Sequence, residues 1–307
     1  MGVSVRVGLT GSSGLIGRAV ANALRERGDG VVRFIRPTTG ASSGATVRWD
    51  PANGRLDEAD LHRVGGLDAV INLAGAGIGD HRWSAQRKAV ILDSRVASTT
   101  LLVEAIGAMA SGVRMVVSGS AVGVYGSRGD EILDETSTPG TDFLADVCQR
   151  WEAAAQPVSR LGTELALLRT GIVMSSLGGA LRRQLPIFRW GLGGVLGDGT
   201  QWISSIALAD EVRAILWILD HGLTGPHNVV GPEPATNRQF TKALGAALHR
   251  PTIVPVPAFA LSLALGAPLA HGAVLASQRV VPNRLLASGF EYTYPDLRST
   301  ITAAIGA

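Results

Sequence analysis

The 307-residue sequence predicts an α/β fold: a Rossmann-like, doubly wound parallel sheet with a smaller, mostly helical C-terminal lobe woven from the second half. Three observations predict it. An apolar run, Val5 to Leu9, closes on glycines 11, 14 and 17, and a helical pattern starts at once (Leu15, Ile16, Ala19, Val20, Ala23, Leu24). Short apolar runs at 31–36, 68–75, 113–118 and 165–173 then alternate with segments of helical period at 84–109 and 142–155, the pattern of parallel strands joined by crossover helices. The strand at 68–75 ends in small residues, Ala74 and Gly75, where a ligand would lie against backbone.

The opening segment carries the chemistry. A strand, a tight turn and an exposed helix N-terminus offer free N–H groups and the positive end of a helix dipole to a diphosphate. Gly11 permits the turn, Gly14 lets the backbone approach the ligand, and Gly17 brings helix and strand together. Thr10, Gly11, Ser12, Ser13, Gly14, Leu15, Ile16 and Gly17 are therefore expected to hold a dinucleotide.

The second strand ends at Arg36, and Pro37-Thr38-Thr39-Gly40 stops it. An acid there would hold a ribose 2′-hydroxyl, whereas an arginine suits a 2′-phosphate. The contact would contribute about 1.5–3 kcal/mol, so NADP(H) is the expected cofactor. Residues 41–44 read as a loop, 47–50 as a third strand and 56–64 as a weak helix. Leu73, Ala74 and Gly75 end the next strand beside the cofactor, and Arg95 lies on the long helix 84–109 that follows. Ser118 and Ser120 sit at the carboxyl end of strand 113–118 and just beyond it, where open α/β sheets bind ligands. Thr170, near the end of strand 165–173, is assigned to the same crevice.

The second half alternates less regularly. Residues 189–199 are glycine-dense and read as a mobile loop over a pocket. Helices are expected at 208–219 and 237–248, the second capped by Thr236 or Asn237, with a short strand at 227–230 between them. Residues 1–173 form the expected dinucleotide domain, with roughly 204–235 returning to it, and 174–307 form the second lobe. Asp130, Glu131, Asp134 and Glu135 read as a solvated acidic loop, and Trp49, Trp151 and Trp217 as core.

Bulk composition excludes several classes. Lys and Arg total 28 against 25 Asp and Glu, a net +3 and no nucleic-acid footprint. A single cysteine, Cys148, leaves no intramolecular disulfide, and six scattered histidines show no ligand spacing, so no metal is expected. No export signal is apparent, and the most apolar tract, 258–276, is broken by Gly266, Pro268 and His271. A cytoplasmic protein without a membrane or nucleic-acid partner is expected; its substrate is a small molecule of unknown identity, and the oligomeric state is open.

The chain resembles the extended short-chain dehydrogenase/reductase superfamily, on Thr10-Gly11-Ser12-Ser13-Gly14-Leu15-Ile16-Gly17. More narrowly it is similar to the atypical "epimerase family" branch, sugar-nucleotide-epimerase-like proteins. Asn72-Leu73-Ala74-Gly75, Arg82-Trp83, Asp93-Ser94-Arg95, Ser120 through Gly126, Trp151-Glu152, Leu168-Arg169-Thr170-Gly171 and Gly191-Leu192-Gly193-Gly194 carry that likeness. It implies NADP(H) on a Rossmann domain.

The superfamily's proton chemistry uses a tyrosine and a lysine four residues later, the lysine lowering the tyrosine's pKa. This sequence has no such pair: its lysines, Lys88 and Lys242, follow Ser84 and Arg238 at that spacing. Alignment on Glu152 puts Leu144 and Cys148 in the two positions, with the superfamily's serine retained as Ser120. Relatives also commonly carry a Trp and a His near Ser205 and Ala207. Three readings stand: an oxidoreductase or epimerase using Ser120 with Tyr125 or Cys148 as proton donor, a non-catalytic NADP(H) sensor or partner-binding module, or a sugar-nucleotide binder lined by Arg189, Trp190 and Trp202.

Overall fold

The computed structural model describes residues 4–37, 44–109 and 112–306. Its centre is a sheet of β1 (Arg6–Thr10), β2 (Gly30–Ile35), β3 (Thr46–Asp50), β4 (Arg55–Leu56), β5 (Ala69–Asn72), β6 (Met115–Ala121), β7 (Glu164–Thr170) and β8 (Gly225–Val229). The spatial order is β8-β7-β6-β5-β1-β2-β3-β4, and only the β3–β4 edge pair is antiparallel. The chain moves outward from β1 through β2 and β3, then crosses back to β5. That reversal opens a crevice at the carboxyl ends of β1 and β5, where such sheets bind ligands.

Strand periodicity explains the two covered faces. Val7, Leu9, Ile71, Met115, Val117 and Leu168 point to one side and pack on α1 (Leu15–Glu26) and, later in the chain, the helix Leu208–Asp220. Val70, Val116, Leu165 and Leu167 point to the other, against α2 (Glu58–Val64) and α3 (Ala85–Gly107). The remaining principal helices are α4 (Phe143–Ala155), α5 (Gly179–Arg189), α6 (Leu208–Asp220) and α7 (Asn237–Ala247). A separate cluster of Leu181, Leu185, Phe188, Phe240, Leu244 and Ile301 holds α5, α7 and the final helix, Leu297–Gly306, together.

Local capping sets the helix starts. The side chains of Asp57, Ser84, Asp142 and Thr236 accept the N–H three residues on, the last in a capping box with Gln239. Each such cap contributes about 1 kcal/mol. By contrast α1 and α5 begin on Gly14 and Gly178, with no side-chain cap.

Several expectations need correction. The strand expected at 165–173 breaks at Gly171, a position too close to the Ser204 carbonyl and Val230 for any side chain. Residues Ile172–Met174 then leave the main sheet and pair with Ser205–Ala207. Helix α5, with Pro186 inside it, was not anticipated. The glycine-dense segment 189–199 is tied down rather than loose: Val256 N–H donates to Val195, Gly197 N–H to Val256, and Leu196 N–H to Asn237 Oδ1. Glu135, expected in solvent, is buried, as are Trp49 and Trp151; Trp217 is half-buried. Most of the expected 37–40 stop and 41–44 loop lies outside the described residues.

Candidate functional site

The glycine turn forms one wall of the crevice. Gly11 has φ +64°, a left-handed conformation that favours glycine. A Cβ on Gly11 would run into the Leu73 carbonyl, and one on Gly17 into that of Gly11. Gly14 N–H closes the turn on the Gly11 carbonyl at 2.9 Å. Leu15, Ile16 and Gly17 then open α1 with N–H groups that have no acceptor within the helix and no side-chain cap. Ser13 is exposed and Ser12 half-buried at the rim, and the Ser13 carbonyl accepts from Arg18.

Thr10 works behind this surface. Its buried Oγ1 donates to Asn72 Oδ1 at 2.7 Å and accepts from the N–H groups of Leu73 and Ala74. Asn72 in turn donates to Thr99 and to Ser118 Oγ. The Thr10 and Ser118 hydroxyls therefore latch β1, β5 and β6 to one another, fixing the floor on which Leu73, Ala74 and Gly75 sit.

The cradle fits a dinucleotide. Gly178, the N-terminal cap of α5, sits 3.4 Å (from the place of a would-be Cβ) from Leu15, so two helices with glycine N-caps and no side-chain cap begin side by side. Their dipoles and free N–H groups favour an anion between them. Arg36, just past β2, is exposed and makes no ion pair among the described residues. Arg95 is half-buried against Gly75, donates to the carbonyls of Ala76 and Ile91, and lies over the Trp151 ring at 5.0 Å.

The residues expected to move protons are less accessible. Tyr125 is 0% exposed; its hydroxyl donates to Asn228 at 2.7 Å and accepts from Arg169 Nη1 at 3.0 Å. Burial raises its pKa, Arg169 partly offsetting the effect. Cys148 is buried against Gly123, and burial, with the nearby Glu152 charge, pushes its thiol up to about 12. Neither is a neutral-pH proton donor open to the crevice. Ser120 remains, 5% exposed, its hydroxyl donating to Glu152 Oε1 at 2.6 Å.

Sequence reasoning gave no role to the group behind Ser120. Arg169 on β7 clasps both Glu152 oxygens, at 3.0 and 3.1 Å. Burial would lower the Arg169 pKa, but the bonds to Glu152 and Tyr125 outweigh it and raise it. Thr170 Oγ1 donates to Glu211 Oε1 at 3.0 Å, so this hydroxyl is spoken for within the fold. Glu211 is wholly buried, its other oxygen has no partner, and burial raises its pKa to about 8. Two consecutive polar residues closing an otherwise apolar run, Arg169 and Thr170, were the available signal. Of the third reading's residues, Trp190 is 82% exposed, while Trp202 is half-buried under Arg279 and donates to Asp130. Among the described residues no cluster of His, Cys, Asp and Glu could hold a metal ion, and no helix is long and apolar enough to cross a membrane.

The model of the NAD dependent epimerase/dehydratase family matches residues 7–147, and that of a domain of unknown function matches 256–304. An epimerase family protein of Mycobacterium leprae is 40% identical over 97% of this chain and 95% of its own. A chloroplastic epimerase family protein of Arabidopsis thaliana is 35% identical over 97% of this chain and 86% of its own. The human epimerase family protein SDR39U1, solved with NADPH, superposes with a TM-score of 0.86 at 30% identity, covering 98% of this chain and 99% of that one. UDP-glucose 4-epimerase of Thermotoga maritima shares the fold alone, at TM-score 0.76 and 18% identity, over 98% and 97%. With its glycine turn, its sheet order and these relatives across nearly its whole length, the chain belongs to the epimerase family, an NAD(P)-binding branch of the extended short-chain dehydrogenases/reductases.

Proposed function

We propose that this chain binds NADP(H) across the β1/β5 crevice and acts as an oxidoreductase- or epimerase-like protein without the usual tyrosine and lysine. The carrying observation is Arg36, exposed just past the end of β2 and without an ion pair among the described residues. Thr10 to Gly17 would hold the diphosphate, Arg36 the 2′-phosphate, and Leu73 to Gly75 with Arg95 the nicotinamide side. The bound cofactor would supply hydride transfer. Ser120, whose hydroxyl donates to Glu152, would hold a substrate oxygen in line, or take a substrate hydroxyl's proton while passing its own to the Glu152 carboxylate. Arg169 fixes the Glu152 carboxylate from behind. Tyr125 and Cys148 are structural in this reading.

A titration tests it. NADPH should bind at least tenfold more tightly than NADH, about 1.4 kcal/mol, and Arg36→Asp should erase the difference. Equal affinity in the wild type would overturn the assignment. The burial of Tyr125 and Cys148 favours a second reading, a nucleotide-sensing module without turnover. NADPH oxidation across a panel of carbonyl compounds separates the two: turnover lost in Ser120→Ala supports catalysis, and NADPH binding with no turnover on any compound supports the sensor.

A further inference from the structure

Three arginines converge on residues 75–80, the loop that leaves β5 beside the crevice. Arg95 donates to the Ala76 carbonyl, Arg87 to that of Gly77 and Arg183 to that of Gly79. Arg87 and Arg95 come from α3 in the sheet domain, whereas Arg183 reaches across from α5. One carboxylate answers them: Asp80 lies 2.7 Å from Arg183 and 3.5 Å from Arg87. Among the described residues, these three cations have no other acidic partner.

The imbalance is costly where it sits. The Arg87 side chain is only 15% exposed, and its Nε is buried without a hydrogen-bond partner. Arg95 is held below the ordinary arginine pKa by burial and by the nearby Arg87 charge. One shared carboxylate neutralises only part of this charge, and positive charge taken out of water without full compensation is destabilising. Pinning a loop needs one or two donors, and neutral groups would serve without that cost.

Position links the cluster to the chemistry. Arg95 lies over the Trp151 ring at 5.0 Å, and the next residue along α4, Glu152, accepts the Ser120 hydroxyl. The surplus charge therefore lies along the same wall as the proposed reacting centre, on the side facing α5. Planar guanidinium forks match oxyanions bidentately.

We propose that Arg87 and Arg183 form the binding site for an oxyanion group, carboxylate or phosphate, on the substrate, with Asp80 as an internal counter-ion that this group displaces. This deepens the NADP(H) reading and rests on it. The substrate class becomes anionic carbonyl or alcohol compounds, and the site closes when the anion bridges loop 75–80 to α5.

The test uses the full chain with saturating NADPH, titrated at constant ionic strength with inorganic phosphate, malonate or, as the neutral control, glycerol, and followed by thermal shift. Phosphate or malonate should raise the melting temperature saturably, and the better of the two identifies the anion. Arg183→Gln, at an exposed position, should weaken that response at least tenfold without changing NADPH affinity. Arg87→Gln should act likewise, and Asp80→Asn should tighten anion binding several-fold. A wild type that responds no more than to sodium chloride, or an Arg183→Gln variant that responds like wild type, overturns the proposal. So does competition between the anion and NADPH, which would assign the cluster to the cofactor. If NADPH does not bind at all, the cofactor reading fails alone, because the same titration in cofactor-free protein still reports on Arg183 and Asp80.

Discussion

His227 offers a measurable coupling between burial and pH. It sits on the edge strand β8, 2% exposed, with neither ring nitrogen hydrogen-bonded, and the Arg284 side chain donates to the adjacent Pro226 carbonyl. Burial, then the Arg284 charge, lowers its pKa from 6.5 to about 4, with the Thr224 backbone opposing. Below the unfolded value the unfolded chain binds this proton and the folded chain does not, so stability falls as pH drops. The loss begins near pH 6.5 and is complete near pH 4, and a shift of this size amounts to about 3 kcal/mol. At about pH 5 it should already reach about 2 kcal/mol. His227→Gln removes the titration while keeping a polar side chain of similar size. Urea unfolding of both proteins at a series of pH values reads the difference directly, independent of all other titrating groups. The gap between wild type and variant should change by that amount between neutral pH and about pH 5. A constant gap across the range would show that His227 is not held neutral by its surroundings.

Other perturbations report on the crevice floor. Glu211 titrates in the opposite sense: its folded pKa is raised to about 8, so its ionisation costs stability progressively as pH rises from the carboxylate range to about 8. Glu211→Gln should therefore gain stability most at alkaline pH, in denaturant melts at about pH 8 against about pH 5. Glu152→Ala strands the buried Arg169 guanidinium and should cost about 3–5 kcal/mol, measured by chemical denaturation; a cost near zero would mean water reaches Arg169. The Cys148 thiol, pushed up to about 12, should resist iodoacetamide in the folded protein and react at once in denaturant, read by mass spectrometry.

What the sequence disclosed and what it hid divide along local and non-local physics. The β1 turn was readable because Gly11, Gly14 and Gly17 fall within seven residues and each meets a backbone constraint its neighbours impose. The cap of α7 was readable for the same reason, since Thr236 bonds to the N–H only three residues along. The Ser120–Glu152–Arg169–Tyr125 network was not readable, since its members come from β6, α4, β7 and the turn after β6, with directly bonded partners up to 44 positions apart. The same separation concealed that Glu135 accepts the Asn228 amide across 93 residues. Tyr125 stood as a candidate proton donor because the sequence does not show the partners, Asn228 and Arg169, that take up its hydroxyl in the fold.

The placement of β8 carries a consequence for how the protein is made. The strand that covers the flank of β7 is the last of the eight to leave the ribosome, and it brings Asn228, which receives the Tyr125 hydroxyl and donates to the Val281 carbonyl. Until about residue 230 has emerged, the nascent chain presents β7 as an open, largely apolar edge, the kind of surface that recruits other chains. Synthesis of the second half thus finishes the first, and a ribosome stalled short of β8 leaves a product primed to aggregate.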